Sequence, residues 1–254
     1  DLPKRLDVGQ VLVRISYSGI CGSQLGEIDG VKGRDEYLPH LLGHEGSGIV
    51  LEVGPGVSKV KKDDAVVLHW RGGLGIQSAA PTYYLEESPI NAGWVTTFNE
   101  YSVISENRCT RIDKNEDMKV AALFGCAVTT GFGVVENDCS IRMGQSIVVY
   151  GSGGIGLSIV QGARMRSAHP IIAVDIFQDK LDLAKEVGAD FVINARTENV
   201  ESRIESLLQD RNLDVFVENT GKSFAIELGY RTLKTDGSLI LVGVPDSRDD
   251  VKIG

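Results

Sequence analysis

The chain has 254 residues, 42% hydrophobic and 24% charged, a balance suited to a globular protein of one large or two ordinary domains. Its formal charge of −9 argues against nucleic acid or an anionic membrane surface as the main partner. No apolar run approaches the roughly 20 residues of a membrane span. The four cysteines form no CxxC pair and no secretion signal is visible, so a disulfide framework is not expected and a reduced, cytoplasmic setting is. Asp1 stands where Met would, and the chain stops at Lys252-Ile253-Gly254; both ends read as cut, so a partial chain is expected.

Residues 10–17 alternate apolar and polar, with Val11, Val13 and Ile15 on one face, the pattern of a half-buried strand. Residues 18–24 read as a small-residue turn carrying the Cys21 thiol, and 30–39 as an exposed loop. Strands are predicted at 49–53 and 65–69, separated by the turn Gly54-Pro55-Gly56 and the charged loop 59–64. Short strands between glycine and proline turns predict a β-rich, barrel-like part. Residues 71–93 read as an irregular loop or lobe, 98–104 as a strand, and 117–135 as partly helical around Cys126.

From Gln145 the rhythm changes. Strands are predicted at 147–150, 171–174, 191–193, 213–217 and 239–242, with helices from Ile155 and at 181–187, 200–210 and 224–233. Repeated βα units imply a doubly wound parallel sheet. The division is placed at 1–125 and 126–254, within a boundary zone of 115–145.

The first βα turn is Gly151-Ser152-Gly153-Gly154-Ile155-Gly156, and the next strand ends in Asp175. Strand, glycine turn, helix, strand and acid come in the order that a dinucleotide site needs. Gly151 permits the tight turn, Gly153 admits a pyrophosphate close to the backbone, and Gly156 lets helix and strand pack closely. The helix start offers unpaired N–H groups to phosphate. Asp175 would bind the adenine ribose hydroxyls and repel the extra phosphate of NADP, which favours NAD.

Cys21, His44 and Cys126 form a second constellation: thiolate, imidazole, thiolate. Three protein ligands and one open position are the pattern of a catalytic zinc. Taken bare, the residue types favour two buried thiols and a hydrogen-bonded turn histidine over a ligand set.

Gly43-His44-Glu45 with Gly48, Gly54 and Val57, the turn Cys21-Gly22-Ser23, the segment Gly125-Cys126 with Thr129-Thr130-Gly131, and the glycine turn with Asp175 and Lys180 together resemble the zinc-dependent medium-chain dehydrogenases (zinc-containing alcohol dehydrogenase-like). The likeness covers nearly the whole chain, which lacks the family's first strand, the last strands of its coenzyme sheet and its returning C-terminal helix. It implies a GroES-like β-barrel catalytic domain followed by a Rossmann domain. It implies that Cys21, His44 and Cys126 hold one catalytic zinc, with Glu45 beside it. Ser23 would begin a proton relay, and Thr130 and Ile155 would pack near the nicotinamide. Asp175 and Lys180 would hold the adenosine ribose, while Asn219, Thr220 and Gly221 line the coenzyme cleft. Hydride would then pass between a small-molecule alcohol or sugar alcohol and NAD, giving the aldehyde or ketone. No nucleic acid or membrane partner is implied, and the full-length protein would be a homodimer or homotetramer.

The sequence also departs from that pattern. Residues 71–93 hold no cysteine, so no structural zinc is expected, and Tyr83, Tyr84, Leu85, Ile90 and Trp94 would hold that lobe instead. Gly26 stands where animal-type enzymes have a relay histidine, so the proton exit differs or runs through water. Gln24 stands where Asp is usual, which bears on the orientation of His44, and Asp63 where a turn glycine is usual. Trp70 is a candidate wall of the substrate site, with an ordinary packed aromatic as the even alternative. His40 and His169 read as surface residues, Cys109 and Cys139 as plain thiols. Two other readings stay open: a zinc-free NADPH reductase resembling quinone reductases, against which the triad and Asp175 weigh, and a catalytically silent protein on this fold, against which the triad and Ser23 weigh.

Overall fold

The computed structural model describes residues 1–31, 33–246 and 248–253; Lys32 of the 30–39 loop, Ser247 and Gly254 lie outside them. The chain divides into two compact units, Asp1–Ala127 and Val128–Gly254. Cys126 therefore belongs to the same unit as Cys21 and His44.

The first unit carries, in chain order, β1 (Gln10–Ser18), α1 (Gly22–Ile28), β2 (Gly46–Val53), β3 (Ala65–Leu68), β4 (Tyr83–Leu85), β5 (Ser88–Ile90), β6 (Tyr101–Ser105), β7 (Cys109–Ile112) and α2 (Met118–Ala122). Five strands form an antiparallel sheet in the order β6-β1-β2-β3-β7. The alternation read in β1 puts Val11 and Val13 into a core with Val50, Val66, Leu68 and Ile104, all fully buried. Gly48 is required where it stands, because a Cβ there would lie 2.5 Å from the Arg14 carbonyl oxygen on the neighbouring strand. The buried Glu106 carboxylate ties down two loops, accepting the N–H groups of Ser58 (2.6 Å), Lys59 (2.7 Å) and Ile76 (2.7 Å).

Three readings of this unit are corrected. The stretch after Cys21 is a helix, α1, although Leu25 and Ile28 are exposed and give it no amphipathic signal. The 71–93 lobe contains the β4–β5 hairpin. Within it Tyr83 alone is fully engaged: it is buried, its hydroxyl accepts the Val103 N–H at 2.7 Å, and Tyr84 and Leu85 face outward.

The second unit opens with α3 (Ala127–Gly133), whose first residue is the last of the first unit. It comprises a π turn (Val134–Cys139), β8 (Ile147–Tyr150), α4 (Gly154–Met165), β9 (Ile171–Asp175), α5 (Gln178–Glu186), β10 (Phe191–Asn194), α6 (Val200–Leu208), β11 (Leu213–Glu218), α7 (Ser223–Thr232) and β12 (Leu233–Leu241). All five strands are parallel, in the order β10-β9-β8-β11-β12. β8 reads as an unbroken apolar run because both its faces are covered. Ile147 and Val149 enter one core, Val148 and Tyr150 the other. Strand order reverses beside β8, so the crevice for a ligand lies beyond its carboxyl end. β12 starts at Leu233, before the predicted 239, where a register shift between Leu213 and Val215 re-aligns it with β11. Among the described residues no single helix is long and apolar enough to cross a membrane.

Candidate functional site

The first unit brings Cys21, His44 and Cys126 together, with one ligand atom from each lying within 4.8 Å of the others. They come from three separate places: the N-cap of α1, the residue pair before β2, and the link between α2 and α3. Gly125 allows this convergence, since a Cβ there would lie 2.2 Å from the Leu68 carbonyl oxygen and 2.7 Å from Glu45 Cβ. His44 Nε2 is buried and has no hydrogen-bond partner. Its other nitrogen, Nδ1, lies 2.5 Å from Gln24 Nε2. Cys126, and after it His44, hold the Cys21 thiol at about 3, against the upward push of burial. A buried imidazole nitrogen with no partner, facing sulfur ligands of which one is a ready thiolate, suits zinc.

Glu45 is 3% exposed and its Oε2 accepts the Ala127 N–H at 3.2 Å. Burial, and then the charge of Cys21, raises its carboxyl above the ordinary value. It supports the site from beside the three converging atoms and is not one of them. Ser23 Oγ is buried and without a hydrogen-bond partner.

A cavity of about 740 Å³ opens against this cluster. Gln24 and His44 line it, together with Glu27, Arg34, His40 and Trp94. Tyr37 and Trp94 are the aromatic residues on its wall, and Trp70 does not line it. His40 is not the surface residue expected: its side chain is 17% exposed, with Nε2 2.6 Å from Asp35 Oδ2 and Nδ1 3.0 Å from the Leu41 carbonyl oxygen. The Leu41 carbonyl, and with it Asp35, raises the His40 pKa against burial. His169, 55% exposed beside Asp190, is the surface histidine that the sequence suggested. Cys109 and Cys139 are buried thiols pushed upward by burial, Cys139 to about 12.

In the second unit the glycine turn leaves β8 as expected. Gly151 has φ +101°, a conformation that suits glycine. A Cβ on Gly156 would lie 1.9 Å from the Gly151 carbonyl oxygen, whereas one on Gly153 would meet nothing within 4 Å. Gly153 is the N-cap of α4 and no side chain caps that helix. The first N–H groups of α4 therefore have no side-chain cap, and the space beside Gly153 is open. Asp175 ends β9 and is 9% exposed. Its Oδ2 accepts the Ser152 N–H at 2.8 Å and its Oδ1 those of Ile176 (2.8 Å) and Phe177 (3.0 Å). Oδ2 keeps one acceptor position for a hydroxyl. Lys180 extends over the Phe177 ring at 4.8 Å. Asn219 Nδ2 donates to the Gly151 carbonyl at 3.3 Å. Thr220 gives both its N–H and its hydroxyl to the buried Glu218. Ile155 packs against the core of this unit, and Thr130 is partly buried on α3. Sequence reasoning passed over Phe177 and Glu218; an aromatic two residues beyond the strand-ending acid, and the acid before Asn219-Thr220-Gly221, were the available signals.

Residues 7–114 match the family described as alcohol dehydrogenase GroES-like domain, and 154–254 match zinc-binding dehydrogenase. An S-(hydroxymethyl)glutathione dehydrogenase of Photobacterium damsela subsp. piscicida is 34% identical over 73% of this chain and 57% of its own length. One of Escherichia coli O157:H7 is 30% identical over 96% of this chain and 73% of its own. The chain thus spans little more than half of some relatives it matches. Benzyl alcohol dehydrogenase from Acinetobacter calcoaceticus superposes with a TM-score of 0.86 at 27% identity, over 100% of this chain and 75% of that one. With its antiparallel first sheet, its parallel second sheet and a 30% identical relative covered over 73% of its length, the chain belongs to the zinc-dependent medium-chain dehydrogenases, a family of oxidoreductases.

Proposed function

We propose that this protein is a zinc-dependent oxidoreductase that moves a hydride between a small alcohol, sugar alcohol or sugar derivative and NAD. The observation that carries the reading is the convergence of Cys21, His44 and Cys126 with His44 Nε2 buried and unpartnered. Cys21, His44 and Cys126 would hold a single zinc, which supplies Lewis acidity to the substrate oxygen. NAD supplies the hydride chemistry.

This chain's own residues bind, orient and move the proton. Gly153 and the start of α4 would receive the diphosphate, and Asp175 and Lys180 would hold the adenosine ribose. Asn219 steadies the glycine turn from the adjoining loop. Thr130 and Ile155 are proposed for the nicotinamide end. Ser23 Oγ, which is buried, would begin the proton relay, taking the proton of the alcohol as it passes its own hydroxyl proton on to water. Glu45, held by the Ala127 N–H, would stand beside the metal. The cavity beside His44 has a mainly apolar lining with Arg34, Glu27 and His40 set into it, and would take a small alcohol with an apolar body. The complete protein is proposed to be a homodimer or homotetramer; the outer edge of β12 is unpaired among the described residues and Leu241 is 54% exposed. Sedimentation showing only monomer would contradict that.

The test of the activity is NADH formation, followed by absorbance, with zinc-loaded protein and a panel of aliphatic, aromatic and sugar alcohols. Turnover that Ser23→Ala lowers by about 10²-fold or more supports the assignment. Turnover untouched by removal of zinc would overturn it.

A further inference from the structure

We propose that Gln24 is the positioning residue for His44, and that its single amide oxygen, contested by two part-buried donors, holds the zinc affinity of this chain below what its ligand set allows. The inference rests on the reading that Cys21, His44 and Cys126 hold zinc.

Gln24 is 3% exposed and sits in the first turn of α1, so its amide has little freedom. Its Oε1 accepts the Cys21 N–H at 3.3 Å. Its Nε2 faces His44 Nδ1 at 2.5 Å. In this arrangement the amide donates to Nδ1, and the proton of the neutral ring sits on Nε2. Nε2 is the buried, unpartnered atom that faces the two sulfur ligands. A metal needs the lone pair of Nε2, which moves the ring proton to Nδ1, and that N–H needs an acceptor.

The amide has only one oxygen to offer. If it turns, His44 is satisfied and the Cys21 N–H meets an NH2 group, donor against donor. If it does not, the ring keeps its proton on the ligating atom. Metal uptake therefore reorients Gln24 and loosens the cap of the short helix that carries Cys21 and Ser23. A carboxylate of the same length accepts at both ends and removes the conflict.

The test compares wild type, Gln24→Glu and Gln24→Leu, each stripped of metal and titrated with zinc against a chromophoric chelator. The His44 tautomer is read from ring ¹⁵N shifts before and after zinc is added. Wild type should change from Nε2–H to Nδ1–H on binding, a readout that needs no variant to fold. Gln24→Glu should carry Nδ1–H already without metal and bind zinc about tenfold tighter or more, and Gln24→Leu about tenfold weaker or more. A charge effect alone would tighten binding without moving the metal-free tautomer, and would overturn the proposal, as would a metal-free wild type that already carries Nδ1–H. If all three bind zinc alike, the zinc reading stands and the role of Gln24 falls. If none binds zinc, the zinc reading falls and takes this inference with it.

Discussion

At the scale of single residues, environment separates groups that the sequence writes with one letter. Cys21 and Cys139 are both thiols. The first is held near 3 by Cys126 and then His44, the second pushed to about 12 by burial and then Asp138. Since the thiolate is the nucleophile, iodoacetamide at pH 6 should label Cys21 of metal-free protein and leave Cys109 and Cys139 untouched until the chain unfolds. Peptide mass mapping reads this, and bound zinc should protect Cys21. Glu106 gives a stability prediction. Burial pushes its pKa up, but the N–H groups of Ile76, Ser58 and Lys59 more than offset this, so its folded pKa lies below the ordinary 4.5. A lowered folded pKa stabilises above the unfolded value, and that gain is lost as pH falls through the folded one. Glu106→Gln leaves its NH2 facing one of those N–H groups and should cost about 2 kcal/mol at pH 7. The loss should shrink by pH 3, as urea melts at both values would measure. That Cys21, His44 and Cys126 come together was legible only through motif resemblance, since the bare residue types favoured plain thiols and a turn histidine. The reach of Gln24 to His44 was not, because it depends on α1 being a helix rather than a turn.

At the scale of elements, the glycine turn separates fold from binding. Gly156 and Gly153 stand three residues apart with opposite surroundings. Gly156→Ala forces a Cβ into the Gly151 carbonyl and should destabilise the second unit by about 3 kcal/mol or more. Gly153→Ala fills open space at an unstrained φ of −77°. It should leave stability within about 0.5 kcal/mol while weakening NAD binding by about tenfold or more. Thermal melts and nucleotide titration distinguish the two. Asp63 holds φ +69° in the turn between β2 and β3, so Asp63→Gly should stabilise by up to about 1 kcal/mol, shifting the denaturation midpoint upward. β8 to β11 were legible because covered parallel strands are continuous apolar runs. The β4–β5 hairpin was not, since three-residue strands with outward-facing Tyr84 and Leu85 carry no period.

At the scale of the whole molecule, the switch from short strands to alternating strands and helices announced two architectures, and each unit has its own sheet. The first unit's strand order joins residues far apart in sequence, such as β1 with β6, which local pattern cannot specify. The same non-local pairing brings Cys21 and His44 to Cys126, and motif resemblance rather than spacing anticipated it. The central claim is that this convergence holds one metal ion. The most direct test is zinc content per chain, by elemental analysis of protein purified without chelators, beside Cys126→Ala. The account predicts about one zinc per chain and a near-complete loss in the variant. No zinc in the parent protein, or an equal content in both, would contradict it.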